Sequence, residues 1–357
     1  MRIEGWIAGA VSLAVVAIAL PGVRALAVRF RLYDPPGQLK LHTQPIPRVG
    51  GVAMALAFMA GLFISGVGVS YSSVSFLTAL AIIWAVSLGD DLRGVSPGIR
   101  LVVHLGAAFL LWQAGWRLPI LQPAALNAAA TCLFVAFFVS AFNMLDGTDG
   151  IAGGTTAVIA LGYAALPGGA TGPLGSMAAW SLLGTCLGFL LFNFPPAKIF
   201  MGDSGSAVLG FIVAFLSLDF YRGHRGYGGY LLAPLFFAAL PLLDALFAII
   251  RRLRNGSSPL EGDRRHFYDV LLQSGWPARR VAYCSYVATS FVVLLGWLCD
   301  REIFVAVLMV TALASMVFVA AVRLGMFRPA VLVNVNKTRA VVEGPRKADF
   351  RCDRPAA

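Results

Sequence analysis

Residues 122–150 read QPAALNAAATCLFVAFFVSAFNMLDGTDG. The run is uncharged and apolar from Ala124 to Phe142, then closes on Asn143, Asp146 and Asp149. A helix needs roughly 20 such residues to cross about 30 Å of hydrocarbon, and a backbone inside lipid must satisfy its own hydrogen bonds. The stretch therefore predicts a membrane-spanning helix whose end carries a polar turn.

Runs of the same kind recur along the chain, near residues 6–28, 51–68, 74–88, 98–116, 122–142, 151–167, 174–193, 204–220, 230–250, 280–299 and 302–322. They predict an all-α, polytopic membrane bundle of about 11 transmembrane helices occupying residues 1–322. The composition agrees: 59% of the 357 residues are hydrophobic and only 13% charged, against roughly a quarter charged in a soluble domain. The first run follows a weak basic segment and has no clear A-x-A cleavage site, so it reads as a helix rather than a signal peptide. Residues 323–357 form the tail, and from 335 onward they are polar and aperiodic, which predicts disorder.

Placing the connections around residues 29–50, 89–97, 143–150, 194–203 and 251–279 on one side, with the tail, gathers 23 of the 28 Lys and Arg residues, counting Arg24, Arg100 and Arg280 at the adjoining helix ends. The other side keeps Arg2, Arg117, Arg222, Arg225 and Arg301. Positive charge marks the cytosolic side, so the N-terminus is expected outside and the C-terminus inside the inner (plasma) membrane. The net charge of +11 is thus a topology signal, and no folded basic face calls for nucleic acid. The five cysteines show no metal spacing and read as small apolar fillers.

Unusual polar residues collect on that same side. Asp90-Asp91 close the third span at the negative end of its helix dipole, where paired carboxylates are unfavourable; a solvated turn is the alternative to function. Asn143 to Gly150 holds two Asp residues three apart, each before Gly, so that carboxylates line a tight turn with open backbone. Asn193 to Ser206 breaks one helix with two prolines and starts another at Asp203, which would cap it. A helix N-terminus beside Lys198 also suits phosphate, and its carboxylate suits Mg²⁺.

Arg264, Arg265 and His266 could hold a diphosphate by charge-assisted hydrogen bonds, whereas Arg251, Arg252 and Arg254 read as topological charge. Arg100 and His104 share a face of the fourth span. Asp244 lies inside the ninth span, where an ionisable residue is either functional or a buried partner.

At these motifs the chain resembles the polyprenyl-phosphate N-acetylhexosamine-1-phosphate transferases, from about residue 31 to 322. The resemblance includes Asp34-Pro-Pro, Lys40-Leu-His42 and Pro45-Ile-Pro-Arg48-Val-Gly-Gly, the Asp90-Asp91 pair, and the runs from Asn143 and Asn193. It implies that Asp90, Asp91 and His266 are catalytic. It implies that Asp203 and Asn143 hold Mg²⁺, with Mn²⁺ as a substitute. Substrate binding would fall to Lys40, His42, Arg48, Asp146, Asp149, Lys198, Arg264 and Arg265. The fourth motif departs from the common pattern, having His266 alone where many members cluster two or three histidines. This speaks against the peptidoglycan-precursor branch, the phospho-MurNAc-pentapeptide transferases, and for those that start O-antigen or related envelope polysaccharides.

The reaction so implied joins UDP-N-acetylhexosamine and undecaprenyl phosphate, within membrane lipid, into a polyprenyl-diphospho-sugar and UMP. A homodimer is left open. The rival of another class is a transporter or lipid flippase, which would need charged sites near the bilayer midplane; Asp244 is the residue that favours it.

Overall fold

The structure, a computed structural model, describes residues 2–34, 45–119, 121–166, 171–223, 229–259, 262–263 and 265–299, with positions 308, 312 and 323. Its helices are α1 (Arg2–Arg29), α2 (Gly50–Ile64), α3 (Tyr71–Arg93), α4 (Pro97–Gln113), α5 (Ala124–Leu145), α6 (Ile151–Ala164), α7 (Pro173–Asn193), α8 (Gly202–Gly223), α9 (Ala233–Phe237), α10 (Ala239–Arg254), α11 (Phe267–Gln273) and α12 (Ala278–Cys299). A short antiparallel ribbon departs from the all-α expectation: β1 (Tyr33–Asp34) pairs with β2 (Ile46–Pro47), Tyr33 opposite Pro47.

Among the described residues α1, α3, α5, α7, α8 and α12 are long and apolar enough to cross a membrane; α2 and α6 are apolar but shorter. The first eight expected spans and the tenth each fall on one helix. The eleventh, near 302–322, and the tail lie outside the described residues apart from positions 308, 312 and 323.

Helix starts follow local chemistry. Ser70 accepts the Ser73 N–H at 3.1 Å ahead of α3, and Ser96 accepts the Ile99 N–H at 3.4 Å with Pro97 opening α4. Both are N-caps, and proline suits a first helical position that has no partner for an N–H. The ninth span departs from expectation. In place of one helix over 230–250 there is a 3-10 turn at Gly229–Leu231, then α9, then α10 beyond a break at Ala238 (φ −99°, ψ 15°). Pro241 has no N–H to give the carbonyl of Phe237, so the helix cannot run through.

The core is built around α8, which is buried along its whole apolar length with α2, α3, α5, α6 and α7 against it. A helix apolar on all faces belongs inside a bundle. At the edge, α1 lies on α7 and α2, so close that a Cβ at Gly184 would collide with the Gly9 carbonyl. Small residues allow such backbone contact where lipid provides no hydrophobic drive between helices.

The chain alternates between two ends. The α3–α4, α5–α6 and α7–α8 connections and the end of α10 share one of them. At the other, Asp219 accepts the Trp116 indole N–H at 2.9 Å and the Gly172 N–H at 2.7 Å. These bonds tie three distant connections beside a cleft of about 860 Å³ lined by Ser65, Ser72, Trp116, Asp219 and Arg222.

Candidate active site

Two helix ends, of α3 and α8, bring Asp90, Asp91 and Asp203 together. Gly202 turns the chain into α8 at φ +72°, a left-handed conformation suited to glycine, and a Cβ there would press on the Asp91 carboxylate. Asp91 is fully buried and accepts the N–H groups of Asp203 (2.8 Å) and Ser204 (2.9 Å). Asp91, not Asp203, is therefore the carboxylate that caps α8. An anion that is unfavourable at the C-terminal end of α3 is satisfied by the positive end of α8.

Asp203 is thereby free for other partners. Its two oxygens meet Arg48 Nη2 at 2.6 Å and Arg100 Nη1 at 2.9 Å. Arg100 also pairs with Asp90, whose other oxygen accepts the Val95 N–H at 2.6 Å. Arg48 further faces Asp91 at 3.3 Å and Asp34 at 4.0 Å. Its position follows from the strand-like seam in which Gly50 and Gly51 donate to the Phe200 and Met201 carbonyls and Phe200 donates to Pro47. Four carboxylates thus share two guanidiniums.

The run from Asn143 joins this cluster. Ser206 Oγ donates to Asn143 Oδ1 at 3.0 Å. Asp149 accepts the Ala197 N–H at 2.8 Å, and Asn193 accepts the Gly150 N–H while donating to the Ile199 carbonyl, each at 2.9 Å. Asn193 and Asp149 therefore staple the two acidic motifs to each other. Asp146, by contrast, accepts no hydrogen bond from the described residues. Burial pushes its carboxyl well above the ordinary range of 3.8; Arg48 opposes the rise, and Asp203, Asp91 and Asp149 add to it.

A cleft of about 270 Å³ opens beside Asp203, walled by Arg100, His104, Asn143 and Arg252 and by the apolar Leu101 and Val139. The buried Nε2 of His104 and Nε of Arg252 have no hydrogen-bond partner there.

The reading of Arg251 and Arg252 as topological charge does not hold. Both are buried, and Asp263 binds both: Arg251 Nε donates at 2.6 Å and Arg252 Nη2 at 2.8 Å, with Arg252 Nη1 on the Pro259 carbonyl at 2.8 Å. Burial alone would raise the Asp263 carboxyl, but the two arginines hold it below the usual range. His266 is also buried, not on a loop surface; its Nδ1 lies 2.6 Å from Asp244 and its ring stacks on Tyr268. Tyr268 reaches across to the Met144 carbonyl at 2.8 Å, and Tyr286 of α12 reaches the Gly150 carbonyl at 2.8 Å. Lys198 is exposed and Arg265 is half-buried. Lys40, His42 and Arg264 lie outside the described residues.

Arg100 was visible in the sequence only as a neighbour of His104. Its role depends on meeting Asp203, 103 positions away, which no local pattern reveals.

The arrangement offers anionic oxygens for a hard cation, guanidiniums for phosphoryl oxygens and an apolar wall beside them. The chain is also similar to known proteins. Residues 73–221 match the family model described as glycosyl transferase family 4. The chain is 28% identical over 325 residues to a probable undecaprenyl-phosphate N-acetylglucosaminyl 1-phosphate transferase of Bacillus subtilis, covering 85% of this chain and 90% of the relative. It is 31% identical over 302 residues to a decaprenyl-phosphate N-acetylglucosaminephosphotransferase of Mycolicibacterium smegmatis, covering 74% of each. With an undecaprenyl-phosphate alpha-N-acetylglucosaminyl 1-phosphate transferase of Yersinia pestis it shares 27% identity, over 83% of this chain and 84% of the relative.

Proposed function

The chain belongs to glycosyl transferase family 4, the polyprenyl-phosphate N-acetylhexosamine-1-phosphate transferases, and from that membership we propose that it moves N-acetylglucosamine-1-phosphate from UDP-N-acetylglucosamine to undecaprenyl phosphate. The products are undecaprenyl-diphospho-N-acetylglucosamine and UMP, made at the cytosolic face of the inner membrane. The lipid product would start O-antigen or a related envelope polysaccharide.

One observation carries the reading: Asp203 is held between Arg48 and Arg100 while Asp90, Asp91 and Asp146 crowd the same end of the bundle. Such a site suits a diphosphate with its counterion. An oxygen of the lipid phosphate attacks the phosphorus bonded to the sugar, and the bond from that phosphorus to UMP breaks, UMP leaving with the electron pair. The acceptor is a phosphate monoester with a second pKa near 6, so at neutral pH it is largely a dianion and needs little help from a base. Asp90, engaged by Arg100 and the Val95 N–H, therefore serves to hold Arg100 in place. Arg48 and Arg100 align and neutralise phosphoryl oxygens, which is most of what this transfer asks of a protein.

The donor set fits Mg²⁺. Among the described residues no three His, Cys, Asp or Glu side chains form a ready metal cage. Mg²⁺ needs none, since it keeps one or two carboxylates and takes the rest from phosphates and water. Asp203 and Asn143 would hold it, with Asp146 supplying a further carboxylate free of hydrogen bonds. When bound, the ion supplies positive charge against the departing UMP.

The test is to incubate purified protein with undecaprenyl phosphate, Mg²⁺ and a panel of UDP-N-acetylhexosamines. A lipid-linked sugar diphosphate with equimolar UMP is expected, and release of no UMP from any donor would sink the proposal. The transporter rival loses its support once Asp244 has a partner in His266.

A further inference from the structure

Asp244 sits on α10, is buried, and takes no part in the acidic cluster. One of its oxygens, Oδ2, lies 2.6 Å from His266 Nδ1, and the other accepts the Phe267 N–H at 3.0 Å, at the first residue of α11. His266 is itself buried, its ring parallel to Tyr268 with centroids 5.3 Å apart. Its second nitrogen, Nε2, faces Asp263 at 3.7 Å, and Asp263 carries Arg252, a wall of the cleft beside Asp203. On the same segment Asp269 accepts the backbone N–H of His266 at 3.2 Å.

We propose that Asp244 is a positioning residue for the transfer: it fixes the tautomer and orientation of His266, so that Nε2 is the ring nitrogen turned toward Asp263, Arg252 and the cleft. The inference rests on the transfer reaction proposed above. A carboxylate only accepts hydrogen bonds, so the ring hydrogen facing Asp244 must be on Nδ1. That leaves Nε2 to face the guanidinium side. Because Oδ1 is engaged by Phe267, the carboxylate that faces the ring cannot turn away without uncapping α11. Uncapping α11 would also loosen Tyr268, whose hydroxyl holds the Met144 carbonyl beside Asp146. A buried carboxylate is costly unless it is paired and hydrogen-bonded in this way.

The substitution Asp244→Asn separates this role from packing. Only the amide oxygen can receive the Phe267 N–H, so the amide NH₂ must face Nδ1. Nδ1 then has to accept, and the ring hydrogen moves to Nε2. Shape and cap survive while the tautomer is exchanged.

The experiment measures transfer and detergent-phase melting for wild type, Asp244→Asn, His266→Ala and the double variant. Asp244→Asn is expected to lower kcat about 10²-fold, the scale on which a small misplacement of a positioned group acts, while KM for UDP-N-acetylglucosamine and the melting temperature stay near wild type. In the His266→Ala background it should cost nothing further, because residues acting as a unit are not additive. Wild-type kcat in Asp244→Asn, or losses that multiply independently, would overturn the proposal. A second readout needs no turnover. Ring-nitrogen resonances of labelled His266 should show hydrogen on Nδ1 in wild type and on Nε2 alone in Asp244→Asn; a wild-type ring without hydrogen on Nδ1 overturns the pairing. If Asp244→Asn does not fold, the wild-type ring resonances decide alone: hydrogen on Nδ1 is expected, and a ring without it overturns the proposal. Should wild type make no lipid product while the resonances exchange as expected, the reaction assignment fails and the pairing stands.

Discussion

The carboxylate of Asp91 holds the backbone of Asp203: Oδ1 accepts the Asp203 N–H at 2.8 Å, and its other oxygen takes the next N–H along α8. Two adjacent acidic motifs thus divide their labour. One anchors the helix, and the other presents its carboxylate to Arg48 and Arg100.

That division predicts two different failures. Asp91→Ala removes the cap, worth about 1–2 kcal/mol, and should lower both the melting temperature and transfer. Asp203→Asn leaves the cap intact, so melting should hold while transfer falls by at least about 10²-fold and the Mg²⁺ requirement rises steeply. Melting curves and Mg²⁺ titrations of the two variants check this. A near-normal rate for Asp203→Asn with unchanged Mg²⁺ dependence would shift the metal assignment toward Asp146.

Asp146 gives a pH prediction. Its carboxyl is raised in the folded protein, mainly by burial, so from the ordinary value of 3.8 up to the raised one the folded state binds more protons than the unfolded state. Stability from this group therefore falls as pH rises through that window. Asp146→Asn should melt higher than wild type at neutral pH, and the gap should close near pH 4. The same variant is expected to lose transfer. A gap that widened on acidification would contradict the assignment.

Arg252 should be indispensable where Arg254 is not. Arg252→Ala leaves Asp263 short of a partner in a buried cluster, and breaking such pairs costs up to about 3–5 kcal/mol. Arg254 is exposed at the end of α10, and Arg254→Ala should change melting little. Equal melting temperatures in the two variants would return Arg252 to a purely topological role.

The proposed orientation is checked with single-cysteine probes. Ser257 is expected to react from the cytosolic side and Ala124 from outside. Labelling of both from one side would break the topology on which the cytosolic site depends.

Much of this was legible in the sequence because it is local. Apolar length gave the helices, and the acids of residues 90–91, 143–149 and 203 fell at one end by counting spans. What stayed hidden joins residues far apart. Arg100 with Asp203, Asp91 with the α8 backbone, and Asp244 with His266 follow from how helices pack, which periodicity does not encode. Asp219 was passed over because one acid inside a long apolar run barely disturbs it, yet it ties the far end together. The break at Ala238 was signalled by Pro241, but hydropathy averaged across it.

Because α8 has neighbours on every side, it has no lipid-facing stripe on which substitutions are cheap. Helices at the rim, such as α1, can drift in sequence on one face and so evolve with a periodic pattern. On α8 that freedom is gone from Ser204 to Tyr221, and among the described helices the one that carries Asp203 at its tip has the least room to vary.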